Sequence, residues 1–239
     1  MPLSRNIDAA LNRTSNLDQA LDWLNLPTTR DQISGAQGMQ QAKGALGPDL
    51  KEAEAVKLRA AKNKRDLDQI YRLVHDAYVE RGYIEPRDDG RLVLYPRLDN
   101  IPETTVIIMW DGDLIVGTNS LTIDGPRGLP SDEDFKKECK SIRAEGRRLA
   151  GSWRLCTRTG YRDERHIVLE LIARTVRLTL QNDIETCVFT INPRHVDVYR
   201  RLLNMTLVSQ REDTVKGLQN APAVLMRCDR ETLPKWCFE

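Results

Sequence analysis

Residues 148–181 read RLAGSWRLC, then TRTGYRD, then ERHIVLELIARTVRLTLQ, and the change of period along them decides the fold. Arg148 to Cys156 is a short apolar run of strand length. Thr157 to Asp163 is polar and contains Gly160, which reads as a loop. From Glu164 to Gln181 the apolar residues Val168, Leu171, Ile172, Val176 and Leu180 form a helical stripe. Downstream, Thr186 to Ile191 is another strand, Asn192-Pro193 a turn and Arg194 to Leu203 a helix. Thr206 to Gln210 and Ala223 to Arg227 are two last strands. Upstream, Thr104 to Trp110 and Leu114 to Ile123 are β-branched runs around Asp111-Gly112, a dipeptide that tolerates the positive φ of a hairpin turn. Between that hairpin and residue 148, Ser131 is placed to cap a short helix through Ser141, with Asp132, Glu133 and Asp134 in its first turn. Before the hairpin, Lys64 to Arg81 places Leu67, Ile70, Val74, Ala77 and Tyr78 on one face and ends at Gly82. Val56 to Ala61 is a further short strand. This order is neither a regular βαβ repeat nor an all-β pattern. It predicts an α+β domain, a mixed central sheet flanked by helices.

The chain has 239 residues, 40% of them hydrophobic, enough for one domain of about 150–200 residues and an appendage. The expected division is a flexible or partly helical N-terminal extension over 1–52 and the α+β domain over 53–239. The extension is rich in Gln, Asn, Ser, Gly and Ala. A short amphipathic helix is expected around Leu17 to Leu24, before Gly35, Gly38 and Gly44 break the pattern. There is no apolar run of about 18 residues and no apolar signal segment at the start. Five widely spaced cysteines without a CxxC pair read as reduced thiols in a cytoplasmic protein. Three isolated histidines at no metal-site spacing predict no metal.

Net charge is +1, which argues against a globally basic nucleic-acid binder. The charge is nevertheless uneven. Between Lys136 and Arg165 there are ten basic and four acidic residues, so the remainder of the chain is acidic. Such a stretch either steers an acidic partner or forms a solvated face whose arginines pair with neighbouring acids. It lacks interleaved aromatics apart from Trp153 and Tyr161, which disfavours nucleic acid.

Four stretches resemble a known family. They are Tyr71-Arg-Leu-Val-His-Asp-Ala-Tyr-Val-Glu-Arg-Gly-Tyr83; Val116-Gly-Thr-Asn-Ser-Leu-Thr-Ile-Asp-Gly-Pro-Arg-Gly-Leu-Pro130; Phe135 to Leu155; and Asn192-Pro-Arg-His-Val-Asp-Val-Tyr-Arg-Arg-Leu-Leu203. In this order they resemble the bacterial N-acyl amino acid synthases, relatives of the acyl-homoserine lactone autoinducer synthases with a GNAT (acyl-CoA N-acyltransferase) fold. The resemblance covers roughly residues 56–229. Two positions depart from it. The family usually carries an acid where this chain has Gly151, and the glycine-rich phosphate loop of acetyl-CoA enzymes is replaced by Gly160-Tyr-Arg-Asp-Glu-Arg165.

The resemblance implies an N-acyltransferase that moves a long-chain acyl group from an acyl carrier protein or coenzyme A to an amino acid. No cofactor is bound permanently, and the phosphopantetheine thioester is a co-substrate. Backbone groups of Leu155, Cys156 and Thr157 would hold the pantetheine arm, and Arg158, Arg162 and Arg165 its phosphate, beside the helix N-terminus. Asn192 would bond the pantetheine amides or simply start the turn before Pro193. Tyr199 would protonate the leaving thiolate, or it is a core tyrosine sharing a face with Val196, Leu202 and Leu203. Asp99 and Glu145 are the candidate bases, Glu145 being equally placed to pair with Arg143 or Arg148. If neither serves, the amine must arrive deprotonated or through water. His195 and His75 read as structural or surface groups, and Cys156 has no histidine partner for nucleophilic catalysis. The alternatives are an acetyl-CoA N-acetyltransferase and a non-catalytic domain that binds acyl chains or a partner.

Overall fold

The computed structural model describes residues 57–161, 164–214, 218 and 221–238. The extension expected over 1–52, with its helix at Leu17 to Leu24, and Arg162 lie outside the described residues. Seven strands form one mixed sheet: β1 (Lys57–Ala60), β2 (Thr104–Asp111), β3 (Leu114–Ile123), β4 (Leu149–Thr157), β5 (Thr186–Ile191), β6 (Thr206–Thr214) and β7 (Pro222–Asp229). Their order is β1-β2-β3-β4-β5-β7-β6. The first four run antiparallel in sequence; β4 and β5 are parallel; β7 returns antiparallel between β5 and β6. A parallel neighbour needs a crossover, and the helix α3 (Glu164–Gln181) supplies it between β4 and β5. Among the described residues the other α-helices are α1 (Lys64–Glu80), α2 (Lys136–Arg143) and α4 (Val196–Leu203).

Alternation along the strands assigns the helices to faces. Ile108, Ile115 and Cys156 pack with Ile70, Leu73, Val74 and Ala77 of α1. Ile107, Met109 and Val116 pack with Ile167 and Leu171 of α3 on the other face. Helix α2 uses Cys139 and Ile142 to cover Leu149, Val188 and Leu225. Gly117 marks the closest approach of α3: a Cβ there would stand 2.5 Å from Ile167 Cγ2.

Helix α1 begins as its residues dictate. Asn63 Oδ1 accepts from Asp66 N at 2.9 Å, and Asp66 in turn accepts from Lys62 N and from both Arg59 nitrogens. Gly82 ends it at φ +68°. The helix expected from Ser131 is different. Pro130 starts a 3₁₀ turn over Pro130–Asp132, and the α-helix begins only after Phe135. The acids expected in its first turn are used elsewhere: Asp132 accepts from Leu129 N and from Arg143. Ser131 instead accepts from Thr190 Oγ1 on β5. The segment 194–203 likewise opens with a 3₁₀ turn, Pro193–His195, before α4. Strands β6 and β7 run longer than the apolar runs that announced them.

Candidate active site

The parallel pairing of β4 with β5 stops early. It runs from Leu149↔Thr186 to Ser152↔Phe189. Beyond that point β5 continues against β7 through Ile191↔Val224, and β4 continues against β3 through Thr157↔Gly117. The two strands therefore part, and past Ser152 the β5-side edge of β4 has no partner strand among the described residues. An unpaired strand edge inside a domain is a row of donors and acceptors awaiting a ligand.

The residues around this cleft come from both faces. Leu155, Cys156 and Thr157 lie on the open end of β4, with half-buried Arg158 just after it. Cys156 turns its thiol toward Leu73 in the α1 core, where burial pushes it up to about 12 and leaves it no nucleophilic character. Thr157 Oγ1 donates to Glu164 Oε1 at 2.6 Å, which puts an acid in the first turn of α3. Arg165 follows it, half-buried. At the end of β5, Asn192 Nδ2 donates to Tyr83 Oη at 2.9 Å, and its Oδ1 accepts from Arg194 N. Asn192 thus starts the turn and also bridges the mouth of the cleft to the segment after α1. Tyr199 on α4 packs its ring 6.4 Å from Phe189. Its hydroxyl makes no hydrogen bond among the described residues, and burial pushes it up to about 12.

The tyrosines of α1 and of the segments after it make ring and hydrogen-bond contacts with one another's neighbours. Tyr78 stands edge-on to Tyr83 at 5.7 Å, and Tyr95 edge-on to Trp153 at 5.2 Å. Tyr71 donates to Asp99 Oδ2 at 2.9 Å.

The two acidic candidates are separated. Glu145 precedes β4 and makes a paired contact with Arg227, both oxygens at 2.6 Å from its nitrogens. That is the closed end of β4, roughly 25 Å from its open end at about 3.3 Å per residue. Asp99 lies behind the cleft, buried, with Arg154 Nη1 3.0 Å away. Gly151 faces the turn before α2. A Cβ there would meet Pro130 Cδ at 3.2 Å and Leu129 Cδ2 at 3.4 Å. The turn is held down by Arg143, which grips Asp124 and Asp132 with four contacts of 2.6–2.9 Å.

The basic stretch is not one surface. Arg143, Arg147 and Arg154 are ion-paired to Asp124 and Asp132, to Glu231, and to Asp99. Lys136, Lys137 and Lys140 are exposed on α2, at the closed end of β4, whereas Arg158 is at the open end. Among the described residues no group of His, Cys, Asp or Glu could hold a metal ion, and no helix is long and apolar enough to cross a membrane.

A family model for the N-acyl amino acid synthase FeeM matches residues 69–229, which include every strand of the cleft. The chain belongs to the FeeM family of N-acyl amino acid synthases. It is an N-acyltransferase, with the acyl-CoA N-acyltransferase (GNAT) fold. Among solved structures it resembles the FeeM N-acyl amino acid synthase from uncultured soil microbes, with a TM-score of 0.63 and 23% identity over 77% of this chain and 98% of that one. The CoA-dependent acyl-homoserine lactone synthase BjaI aligns with a TM-score of 0.55 and 20% identity, over 76% and 84% of the two chains. An acyl-CoA N-acyltransferase from Pseudomonas aeruginosa aligns at 0.51 and 14%, over 73% and 99%. None of the curated protein sequences matches the chain.

Arg154 was visible in the sequence only as one more charge. A single arginine inside the apolar run of β4 is itself a signal, since a buried charge demands a partner. Nothing in the sequence named Tyr71 or Ser120 as its neighbours.

Proposed function

We propose that this FeeM family member transfers a long-chain fatty acyl group from a phosphopantetheine thioester to the amine of an amino acid. The observation that carries the reading is the open edge of β4 beyond Ser152↔Phe189, beside which an extended pantetheine arm fits as an added strand. The thioester then lies at the vertex of the cleft, where backbone N–H groups of β4 meet its carbonyl oxygen. The neutral amine attacks the carbonyl carbon. A C–N bond forms, the C–S bond breaks, the amine gives up a proton, and the departing sulfur takes one from Tyr199.

No acid stands at residue 151 to take the amine proton, and Glu145 is committed to Arg227 at the far end of β4. The amine therefore enters deprotonated or releases its proton to water. Glu164 at the start of α3, together with the missing glycine loop, disfavours the coenzyme A pyrophosphate at that helix terminus. This supports an acyl carrier protein as the preferred donor. BjaI, described as CoA-dependent, keeps coenzyme A as the second donor to be tested.

Intact-mass analysis decides between these readings. The purified protein is mixed with palmitoyl-acyl carrier protein or palmitoyl-CoA and the twenty amino acids. An N-palmitoyl amino acid is expected, formed faster from the carrier protein. A folded protein that binds the acyl carrier but yields no product would overturn the catalytic reading in favour of a non-catalytic one.

A further inference from the structure

Arg154 is the only charged residue of β4, and its side chain is 0% exposed. Its backbone lies at φ +62°, a left-handed conformation that is strained for a non-glycine residue. The reason is a bulge. Thr118 faces Cys156 and Ser120 faces Trp153, so two residues of β4, Arg154 and Leu155, stand against the single residue Asn119 of β3. The bulge begins two residues past the last β4–β5 pair, at the vertex where the strands part.

The arginine side chain ties this strained point to three other elements. Nε and Nη2 donate to Ser120 Oγ on β3 at 3.1 and 2.9 Å. Nη1 stands 3.0 Å from Asp99 Oδ1, while Asp99 Oδ2 accepts from Tyr71 of α1. The guanidinium also lies 4.2 Å from the centroid of the Trp153 ring. Burial lowers the pKa of Arg154, and Asp99 opposes that shift only in part. A buried arginine is strongly disfavoured unless its partner stays charged. Asp99 therefore cannot accept the amine proton without stranding Arg154, and both of its oxygens already face partners.

We propose that Arg154 and Asp99 are a positioning pair that fixes the β4 bulge against the thioester carbonyl, and that Asp99 is not the base. The inference rests on the acyl-transfer reading above. Neither residue touches the substrate; they act through the backbone they hold. Lysine cannot replace Arg154, because only the guanidinium fork reaches Ser120 and Asp99 together.

The test reads the carbonyl directly. Palmitoyl-acyl carrier protein and palmitoyl-CoA, each labelled with ¹³C at the thioester carbonyl, are bound to the wild-type protein, and the infrared carbonyl band is recorded. A shift to lower wavenumber is expected. Asp99→Asn and Arg154→Gln are each expected to lose most of that shift and about 100-fold in kcat, with the KM for the amino acid nearly unchanged. The acid limb of the pH profile, which belongs to the amine, should persist. The double variant should be no worse than either single one, because the pair acts as a unit. Ser120→Ala, which leaves the ion pair intact, should lose part of the shift and keeps the test informative if the charge variants do not fold. Loss of the acid limb in Asp99→Asn with an unchanged band would make Asp99 the base and overturn the proposal. So would an unaltered band in Ser120→Ala, or single-variant losses that multiply in the double variant. If the wild type binds neither thioester, the acyl-transfer reading itself fails before any variant is made, and the inference falls with it.

Discussion

Gly151 stands where the resemblance led us to expect an acid, and the packing around it leaves little room for one. Arg143 clamps the turn between Asp124 and Asp132, and that turn lays Leu129 and Pro130 over the space that a side chain at 151 would need. Restoring the family's acid should therefore fail. Gly151→Ala is expected to cost about 1–3 kcal/mol by overpacking, and Gly151→Glu more, because a carboxylate would also be buried against apolar atoms. Urea unfolding measures both, and a Gly151→Glu protein as stable as the wild type would show that the turn yields. Tyr199 calls for a different experiment. Its hydroxyl makes no hydrogen bond among the described residues, so Tyr199→Phe should change stability by less than about 1 kcal/mol. If it protonates the leaving thiolate, the same change lowers kcat about 100-fold. Because burial pushes the hydroxyl up to about 12, the rate should show no loss from its ionisation below pH 10.

Helix α1 illustrates how elements were legible from local chemistry. Its apolar stripe and its Gly82 stop predicted its length within a residue. The Asn63–Asp66 cap and the Arg59 pair hold its start. Arg59, with the Lys62 and Asn63 backbone, depresses the Asp66 carboxyl to about 2. A folded pKa below the unfolded value of about 3.9 stabilises the protein above that value, and the contribution is lost as pH falls from about 4 to 2. Asp66→Asn should remove about 1–2 kcal/mol at neutral pH and flatten the fall in stability over that acid window. A pH series of thermal melts for the two proteins reads this. Helix α3 packs closely against β3. Gly117→Ala on β3 would drive a methyl group into Ile167 and Leu171 and is expected to destabilise by about 1–3 kcal/mol. Helix α2 was misjudged because Ser131 and the three acids after it look like a helix start. Those groups instead bond Thr190 on β5 and three arginines, Arg97, Arg143 and Arg211, and no local rule can see them.

The molecule as a whole decides what its charge means. The stretch from Lys136 to Arg165 is basic in sequence, yet three of its arginines are paired with acids outside it. Among the described residues, Lys136, Lys137 and Lys140 lie on α2 before β4, and Arg158 follows its open end. Donor binding should follow Arg158, at the open end, rather than the lysines of α2. Arg158→Ala is expected to raise the KM for the acyl donor several-fold. Lys136→Glu, Lys137→Glu and Lys140→Glu combined should leave it nearly unchanged. Steady-state kinetics with palmitoyl-acyl carrier protein at low and moderate salt checks this. An equal loss from the lysine variant would move the docking surface to α2.

Periodicity along the chain was enough to determine the α+β class, the hairpin around Asp111-Gly112, α1, α3 and β5, while the family was a resemblance carried by four short motifs. These features depend on residues within a turn or two of one another, so their physics is written locally. The tertiary structure alone decided which charges are spent. Arg154 meets Asp99 and Ser120 across separations of 55 and 34 residues, Glu145 meets Arg227 across 82, and Gly151 is covered by a turn whose clamp comes from α2. It also decided where β4 leaves β5. Pairing between strands separated by a helix depends on the register of the finished sheet, and that register is settled by packing on both faces rather than by either strand's own residues.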